Sequence, residues 1–186
     1  STGKRIIIQP RDLLWFEMLH RHGALPFSYL HEFTKETARN PKRAQDRATE
    51  LFHEDNTQYG GTYLARPFQQ FMTLDARYQN LVYDITPRAE EVLKEAGRWH
   101  ERAPLTSNRH WRHDFMLACI TASIHLATVG TGYRFIFQDE ILDRAGTGLT
   151  FNVPYAINGK RHEHPLKPDR IFGIQYPNKK VRLFIV

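Results

Sequence analysis

The spacing of apolar side chains predicts three helices in the first third of the chain. A first helix opens within residues 9–12 and closes at Gly23, because apolar residues recur in it at intervals of three and four. Residues 26–33 predict a short second helix with an apolar face of the same kind. A third helix runs from Asn40 to Phe52, and its pattern is the clearest of the three.

The third predicted helix separates apolar positions from basic and polar ones. Asn40 can cap the free N–H groups of its first turn, and Pro41 suits the first helical position. One face carries apolar residues at i, i+4, i+7 and i+8, namely Ala44, Ala48, Leu51 and Phe52. The remaining faces carry side chains that can reach phosphates or base edges in a major groove, namely Lys42, Arg43, Gln45, Asp46, Arg47 and Thr49. The alternative is an ordinary amphipathic helix with a solvated charged side.

Strand-like patterns follow the third helix and predict a hairpin. The runs 62–72 and 79–86 are separated by a polar tip, and a helix is predicted over residues 87–96. Three helices followed by a hairpin is the order of a winged helix-turn-helix. Arg66 and Arg77 on this wing are predicted to touch DNA, although exposed polar groups of a hairpin explain each of them equally well.

A change in periodicity predicts two domains and an α+β fold class. Residues 98–108 fit neither period and are interpreted as a linker between a winged helix-turn-helix at 1–97 and an α/β domain at 109–186. The second domain begins with a helix to about Thr128 that is apolar nearly all round, so we expect it to pack against a sheet. Strands are predicted at residues 133–137, 150–157, 166–176 and 180–186, with a hairpin turn at Asn158-Gly159 and an ambiguous segment at 139–144.

Composition narrows the class of protein. The 186 residues are 41% hydrophobic, which is enough for two small cores, and no apolar run approaches the length of a membrane span. With no secretory leader in view, we expect a cytoplasmic protein, associated with nucleoid or plasmid, without a membrane partner. Cys119 is the single cysteine, which excludes an internal disulfide and a cysteine-based zinc site.

The charge distribution favours an anionic partner. The net charge is +6, with a balance of +1 over residues 1–98 and +5 over residues 99–186. Around the predicted second turn and third helix, five cations face two acids, a local balance of +3: Lys35, Arg39, Lys42, Arg43 and Arg47 against Glu36 and Asp46. These cations predict binding to double-stranded DNA with an affinity that falls steeply with salt.

Two acids are candidates for chemistry. Asp169 follows Pro168 at the start of a predicted strand, where a carboxylate can hold Mg²⁺ or Mn²⁺ for phosphodiester cleavage, although a turn-forming aspartate is the simpler interpretation. Asp114 is expected to help position that edge, and it follows His110 and His113 at spacings that could also bind a metal. Three tyrosines, Tyr133, Tyr155 and Tyr176, are available as nucleophiles.

Several of these segments together resemble the replication-relaxation family of plasmids and mobile elements, which includes relatives of MobC-type mobilisation relaxases. The matching segments are Pro10-Arg11-Asp12-Leu13-Leu14, Gly60-Gly61-Thr62-Tyr63-Leu64, Leu81-Val82-Tyr83-Asp84-Ile85-Thr86, His113-Asp114-Phe115 and Pro168-Asp169. The resemblance implies a winged helix joined to a restriction-endonuclease-like domain. In that pattern an acid after the strand 180–186 helps to complete the metal site. The sequence ends at Val186 without it, so we expect the nuclease-like domain to be incomplete.

Three functional hypotheses follow. The first is a sequence-specific double-stranded DNA-binding protein of a plasmid or mobile element, acting in replication control, transcription regulation or conjugative mobilisation. It would work as a homodimer or with other mobilisation or replication proteins. The second is a metal-dependent nicking or relaxase enzyme with a PD-(D/E)xK-like site, in which Asp169 is the metal ligand. The third is a protein-interaction module that pairs through its wing and sheet edge.

Overall fold

The computed structural model describes residues 6–53, 61–72, 80–101, 111–146, 151–166 and 168–186. Over these residues the chain is a mixed α+β protein with six α-helices and small antiparallel sheets. Its contacts divide it into two compact units, Ser1–Leu126 and Ala127–Val186.

The first unit opens with the three predicted helices, which are α1 (Pro10–His22), α2 (Phe27–Thr34) and α3 (Pro41–His53). Local chemistry explains their ends. Gly23 adopts a positive φ of 103° and its N–H donates to the carbonyl of Leu19 at 2.9 Å, which ends α1. Asn40 Oδ1 accepts from the backbone N–H of Arg43 at 3.1 Å, so the cap predicted for α3 is confirmed.

Three short strands form the sheet of the first unit: β1 (Leu25–Pro26), β2 (Leu64–Ala65) and β3 (Val82–Ile85), in the antiparallel order β1-β3-β2. The predicted first wing strand, 62–72, is therefore much shorter than expected. After Pro67, which lacks an N–H donor, the chain turns into a 3₁₀ helix, Phe68–Met72. The tip predicted at residues 75–78, including Arg77, lies outside the described residues.

The side chain of Gln70 takes the place of the missing strand. Its amide nitrogen donates to the carbonyl of Val82 at 2.9 Å, and its amide oxygen accepts from the N–H of Val82 at 2.9 Å. Gln70 is buried, so one side chain satisfies both backbone groups of a strand residue away from water.

Two further helices lie in the described part of the first unit. They are α4 (Pro87–Glu95), capped by Thr86, and α5 (Trp111–Thr128). The sequence predicts that α5 packs against a sheet of the second domain; Ala118 and Ala122 instead join the core of the first unit, and Ser123 Oγ lies 2.9 Å from the Tyr29 hydroxyl on α2. Thr121 Oγ1 lies 3.0 Å from His22 Nδ1 on α1. The contacts consequently divide the chain after Leu126, whereas the sequence pattern suggested a linker at 98–108.

The core of the first unit lies between α1, α2, α3, the sheet and α4. Its largest fully buried side chains are Trp15, Phe16, Leu19, Leu25, Leu30, Leu51, Leu64, Tyr83 and Leu93. Trp15 is held in one orientation because its indole N–H donates to the carbonyl of Leu30 at 2.7 Å and to Thr34 Oγ1 at 3.0 Å. Each large aliphatic side chain buried in this way contributes about 2 kcal/mol.

In its described residues, the second unit contains the helix α6 and two antiparallel sheets. Its elements are β4 (Arg134–Ile136), α6 (Gln138–Ala145), β5 (Phe151–Ile157), β6 (Lys160–Leu166), β7 (Ile171–Gln175) and β8 (Val181–Ile185). The larger sheet has the order β4-β7-β8, and α6 covers it through Ile141, which packs with Ile136 and Ile171. The ambiguous segment 139–144 is therefore helical, and the predicted strand 166–176 is divided between the end of β6 and β7.

Candidate nucleic-acid interface

One face of α3 is anchored in the core and the opposite face is exposed. Ala44, Ala48 and Leu51 are fully buried, as the spacing predicted, and Phe52, the fourth predicted member of this face, is half-buried. The exposed side chains on this helix include four of the predicted DNA contacts, Lys42, Arg43, Gln45 and Asp46, while Thr49 is half-buried. Lys42 Nζ lies 3.9 Å from Asp46 Oδ1, and both side chains are mostly exposed, so this pair is weak and leaves both groups able to exchange partners.

Arg47 differs from the prediction that it faces DNA. Its side chain is only 10% exposed, and its guanidinium points into the protein. Nη2 donates to Asp12 Oδ2 at 2.7 Å and to the carbonyl of Ile7 at 2.7 Å, while Nη1 donates to Glu50 Oε2 at 2.5 Å. Arg47 therefore joins α3 to the start of α1 and does not belong to the exposed face.

The partner of Arg47 is a fully buried carboxylate. Asp12 lies in the first turn of α1, where its Oδ2 also accepts from the backbone N–H of Gln9 at 2.9 Å. Burial by itself would lower the pKa of the Arg47 guanidinium, but its hydrogen bonds to Asp12 and Glu50 and their charges outweigh burial and raise that pKa. Arg47 thus stays charged, and the ion pair fixes which side of α3 points outward.

The segment between α2 and α3 adds two exposed cations, Lys35 and Arg39. Lys35 Nζ donates to Glu32 Oε2 at 2.6 Å, and this hydrogen bond, with the charge of Glu32, raises the pKa of the lysine. With Arg47 directed inward, four cations remain here against Glu36 and Asp46. Two further exposed acids lie beside them, Glu32 bound to Lys35 and Glu50 bound to Arg47, so the net positive charge of this surface is smaller than the predicted +3.

Arg66, which directly follows β2, also stabilises the fold. Its guanidinium carbon lies 4.1 Å from the ring centroid of Phe52 and 5.1 Å from that of Tyr83, and Nη2 donates to the Tyr83 hydroxyl at 2.9 Å. These contacts hold β2 and β3 against the end of α3. Beside it, the 3₁₀ helix exposes Phe68, Phe71 and Met72, at 70%, 52% and 74%. The sequence interpretation missed this patch because it assigned the segment to a strand.

The two predicted catalytic acids belong to different units. Asp114 is half-buried on α5 in the first unit, and Asp169 is exposed just before β7 in the second. The part of the chain that the structure describes contains no group of three or more histidine, cysteine, aspartate or glutamate side chains placed to hold a metal ion. His110, the first residue of the predicted histidine pair, lies outside the described residues.

The three tyrosines that were candidate nucleophiles contact other aromatic rings, and the cysteine is partly buried. Tyr133 contacts Tyr176 with ring centroids 5.4 Å apart, and Tyr155 stacks on His162 at 5.5 Å. Burial raises the pKa of the Cys119 thiol to about 11, so this group is protonated at neutral pH and is a poor nucleophile.

Comparisons with known proteins identify no relative of this chain. The chain matches no protein family model, no curated protein and no solved structure. Among the helices in the described ranges, none combines the length and the apolar character that crossing a membrane requires.

Proposed function

We propose that this protein binds double-stranded DNA and reads its sequence with the exposed face of α3. The observation that carries the proposal is the division of this helix. Ala44, Ala48 and Leu51 fix it to the core and Arg47 ties it to Asp12, while Lys42, Arg43, Gln45 and Asp46 point to solvent. A rigidly held helix with outward basic and amide side chains is what direct readout of a major groove requires.

The order of the elements supports the same proposal. The described elements run helix, strand, helix, helix and then two strands, and the first strand pairs with the last, which is the order that we expect of a winged helix-turn-helix. In that arrangement the third helix enters the major groove. The 13 residues of α3 extend about 20 Å, and a helix with side chains is about 10–12 Å across, which matches the width of the groove.

The side chains on α3 suit distinct parts of a duplex. Lys42 and Arg43 carry positive charge for phosphates or for the acceptor edge of guanine. Gln45 offers a paired donor and acceptor, which is the pattern that recognises adenine, and Asp46 can accept from the amino group of cytosine. Lys35 and Arg39 supply further cations for the backbone.

The resemblance to replication-relaxation proteins supports a particular kind of target. It implies DNA of a plasmid or mobile element, with a role in replication control, transcription regulation or mobilisation. Regulation of this kind requires a sequence-specific contact, and α3 is the element whose side chains can provide one.

Equilibrium binding of a fluorescent duplex tests the proposal. We expect Lys42→Gln/Arg43→Gln to weaken binding by about 30-fold or more, because two contacts of roughly 1 kcal/mol or more each are removed. Lys94→Gln/Arg112→Gln removes the same charge from exposed positions elsewhere in the first unit and should have little effect. Absence of duplex binding at low salt, or equal losses in both variants, would refute the proposal.

A further inference from the structure

The β5–β6 hairpin is a long, regular two-stranded ribbon. Seven residue pairs join the strands, from Phe151 opposite Leu166 to Ile157 opposite Lys160. Asn158 and Gly159 both adopt a positive φ, 50° and 74°, as the tight turn of such a hairpin requires. Strands of seven residues extend about 23 Å, so the turn lies far from the base of the ribbon.

Both faces of this ribbon are exposed along its described length. Every residue from 152 to 164 is exposed, and three apolar side chains alternate along β5: Val153, Tyr155 and Ile157, at 42%, 43% and 53%. An isolated two-stranded hairpin is only marginally stable in water. A ribbon of this length that exposes an aromatic and two β-branched side chains is therefore suited to a partner that covers it.

The charges on the ribbon indicate that the partner that covers it is an anion. The turn is followed at once by Lys160 and Arg161, which the register puts on opposite faces, and His162 stacks on Tyr155. Glu163 is the single acid in the hairpin. The second unit as a whole has nine lysines and arginines and five acids, a balance of +4, so the surroundings of the ribbon also favour a polyanion.

We propose that the β5–β6 hairpin is a DNA-contacting arm, which lies in a groove of the duplex with Lys160 and Arg161 on the phosphates. The inference rests on the proposed function, since it assigns a second contact to the same class of ligand. A two-stranded ribbon is narrow enough to enter the major groove, and apolar side chains on one face can pack on thymine methyl groups while the cations reach the backbone.

The test measures duplex affinity of the full chain as a function of salt. Lys160→Gln/Arg161→Gln removes two cations from the arm and keeps a polar side chain at each position. Loss of two phosphate contacts should reduce the slope of log affinity against log salt by about 1.8. The matched control, Lys180→Gln/Arg182→Gln, removes the same charge from exposed positions of the other sheet in the same unit and should leave the slope unchanged.

The outcomes separate this proposal from the proposed function. One outcome is that Lys42→Gln/Arg43→Gln abolishes binding while Lys160→Gln/Arg161→Gln leaves the affinity and the salt slope unchanged. That outcome would refute the DNA-contacting arm and support DNA reading by α3. Equal changes in the arm variant and its control would reduce the arm to a general basic surface and also refute it. If the arm variant instead changes the sedimentation coefficient without changing DNA affinity, the ribbon pairs with a second copy of the chain. If the unmodified chain binds no duplex, both proposals fail.

Discussion

The ion pair between Arg47 and Asp12 sets the orientation of α3, and it does so in a buried environment. Asp12 is fully buried and the Arg47 side chain is 10% exposed. Removing one member leaves the other charge without its partner, which costs about 3–5 kcal/mol in buried pairs. The stability of the proposed reading helix therefore depends on an arginine that we do not expect to touch DNA.

Arg47→Met should lower the free energy of unfolding by about 3 kcal/mol, because the buried Asp12 carboxylate loses its hydrogen-bonded guanidinium partner and is left with the longer guanidinium contact to Arg11 Nε at 3.8 Å. Urea unfolding measures the effect. Lys42→Met on the exposed face of the same helix is the control and should change stability by no more than about 0.5 kcal/mol. If Arg47→Met is instead as stable as the unmodified protein, and its slope of log DNA affinity against log salt is smaller by about 0.9, then Arg47 contacts a DNA phosphate.

Cys119 gives a prediction about pH. Burial raises the pKa of its thiol to about 11 in the folded protein, above that of an unfolded cysteine, so the unfolded chain loses its proton first as pH rises. The contribution of this group to stability is therefore complete below the unfolded pKa and is lost as pH rises towards 11. At pH 8 a thiol-specific reagent should label the native protein much more slowly than the urea-unfolded protein. Equal labelling rates would contradict the assigned environment.

Single residues with local roles could be predicted from the sequence, whereas those with distant partners could not. Asn40, Gly23 and the Asn158-Gly159 turn act on backbone within a few positions, so their chemistry is visible in the sequence. Arg47 lies three residues after Ala44 and four before Leu51, a spacing that puts it beside the buried stripe of α3. Its partner Asp12 is 35 positions away, and the spacing does not identify that partner. Arg66 is similar, because its stacking on Phe52 and Tyr83 exists only once the sheet has formed.

Between β2 and β3, the side chain of Gln70 makes the hydrogen bonds to Val82 that a neighbouring strand would otherwise make. Gln70→Ala should destabilise the protein by about 2 kcal/mol or more, because the N–H and carbonyl of Val82 are left buried without partners and each costs about 1–3 kcal/mol. Thermal or urea unfolding measures the loss, and hydrogen exchange should show weaker protection of the Val82 amide. The neighbouring Gln69→Ala, at an exposed position, is the control. Unchanged protection at Val82 would disprove the role given to Gln70.

The elements with one clear period were predictable, and those defined by tertiary contacts were not. The bounds of α1, α2, α3 and α4 lie within about two residues of the expected ones because each has a single apolar face. In α5 apolar residues occur on all sides, which predicted burial but did not identify the partner. The small side chains Ala118 and Ala122 allow close approach of the first unit's core, a property that hydrophobic periodicity does not record.

For the molecule as a whole, the sequence predicts two domains joined by a linker at 98–108, and the contacts of the structure divide the chain into Ser1–Leu126 and Ala127–Val186. The break at 98–108 is a local change in periodicity, whereas the contacts place the division after Leu126 because α5 packs with the first unit. The charge is spread over both units, +2 on the first and +4 on the second. This distribution is consistent with the proposed DNA contacts of α3 and of the β5–β6 hairpin.

Selection from a random duplex pool, followed by sequencing of the bound fraction, tests the central claim most directly. The full chain should enrich one sequence motif, and Lys42→Gln/Arg43→Gln should fail to enrich it while Lys94→Gln/Arg112→Gln recovers it unchanged. That result would identify α3 as the element that reads DNA. Recovery of the same motif by the Lys42→Gln/Arg43→Gln variant, or enrichment of no motif by the unmodified chain, would contradict the account.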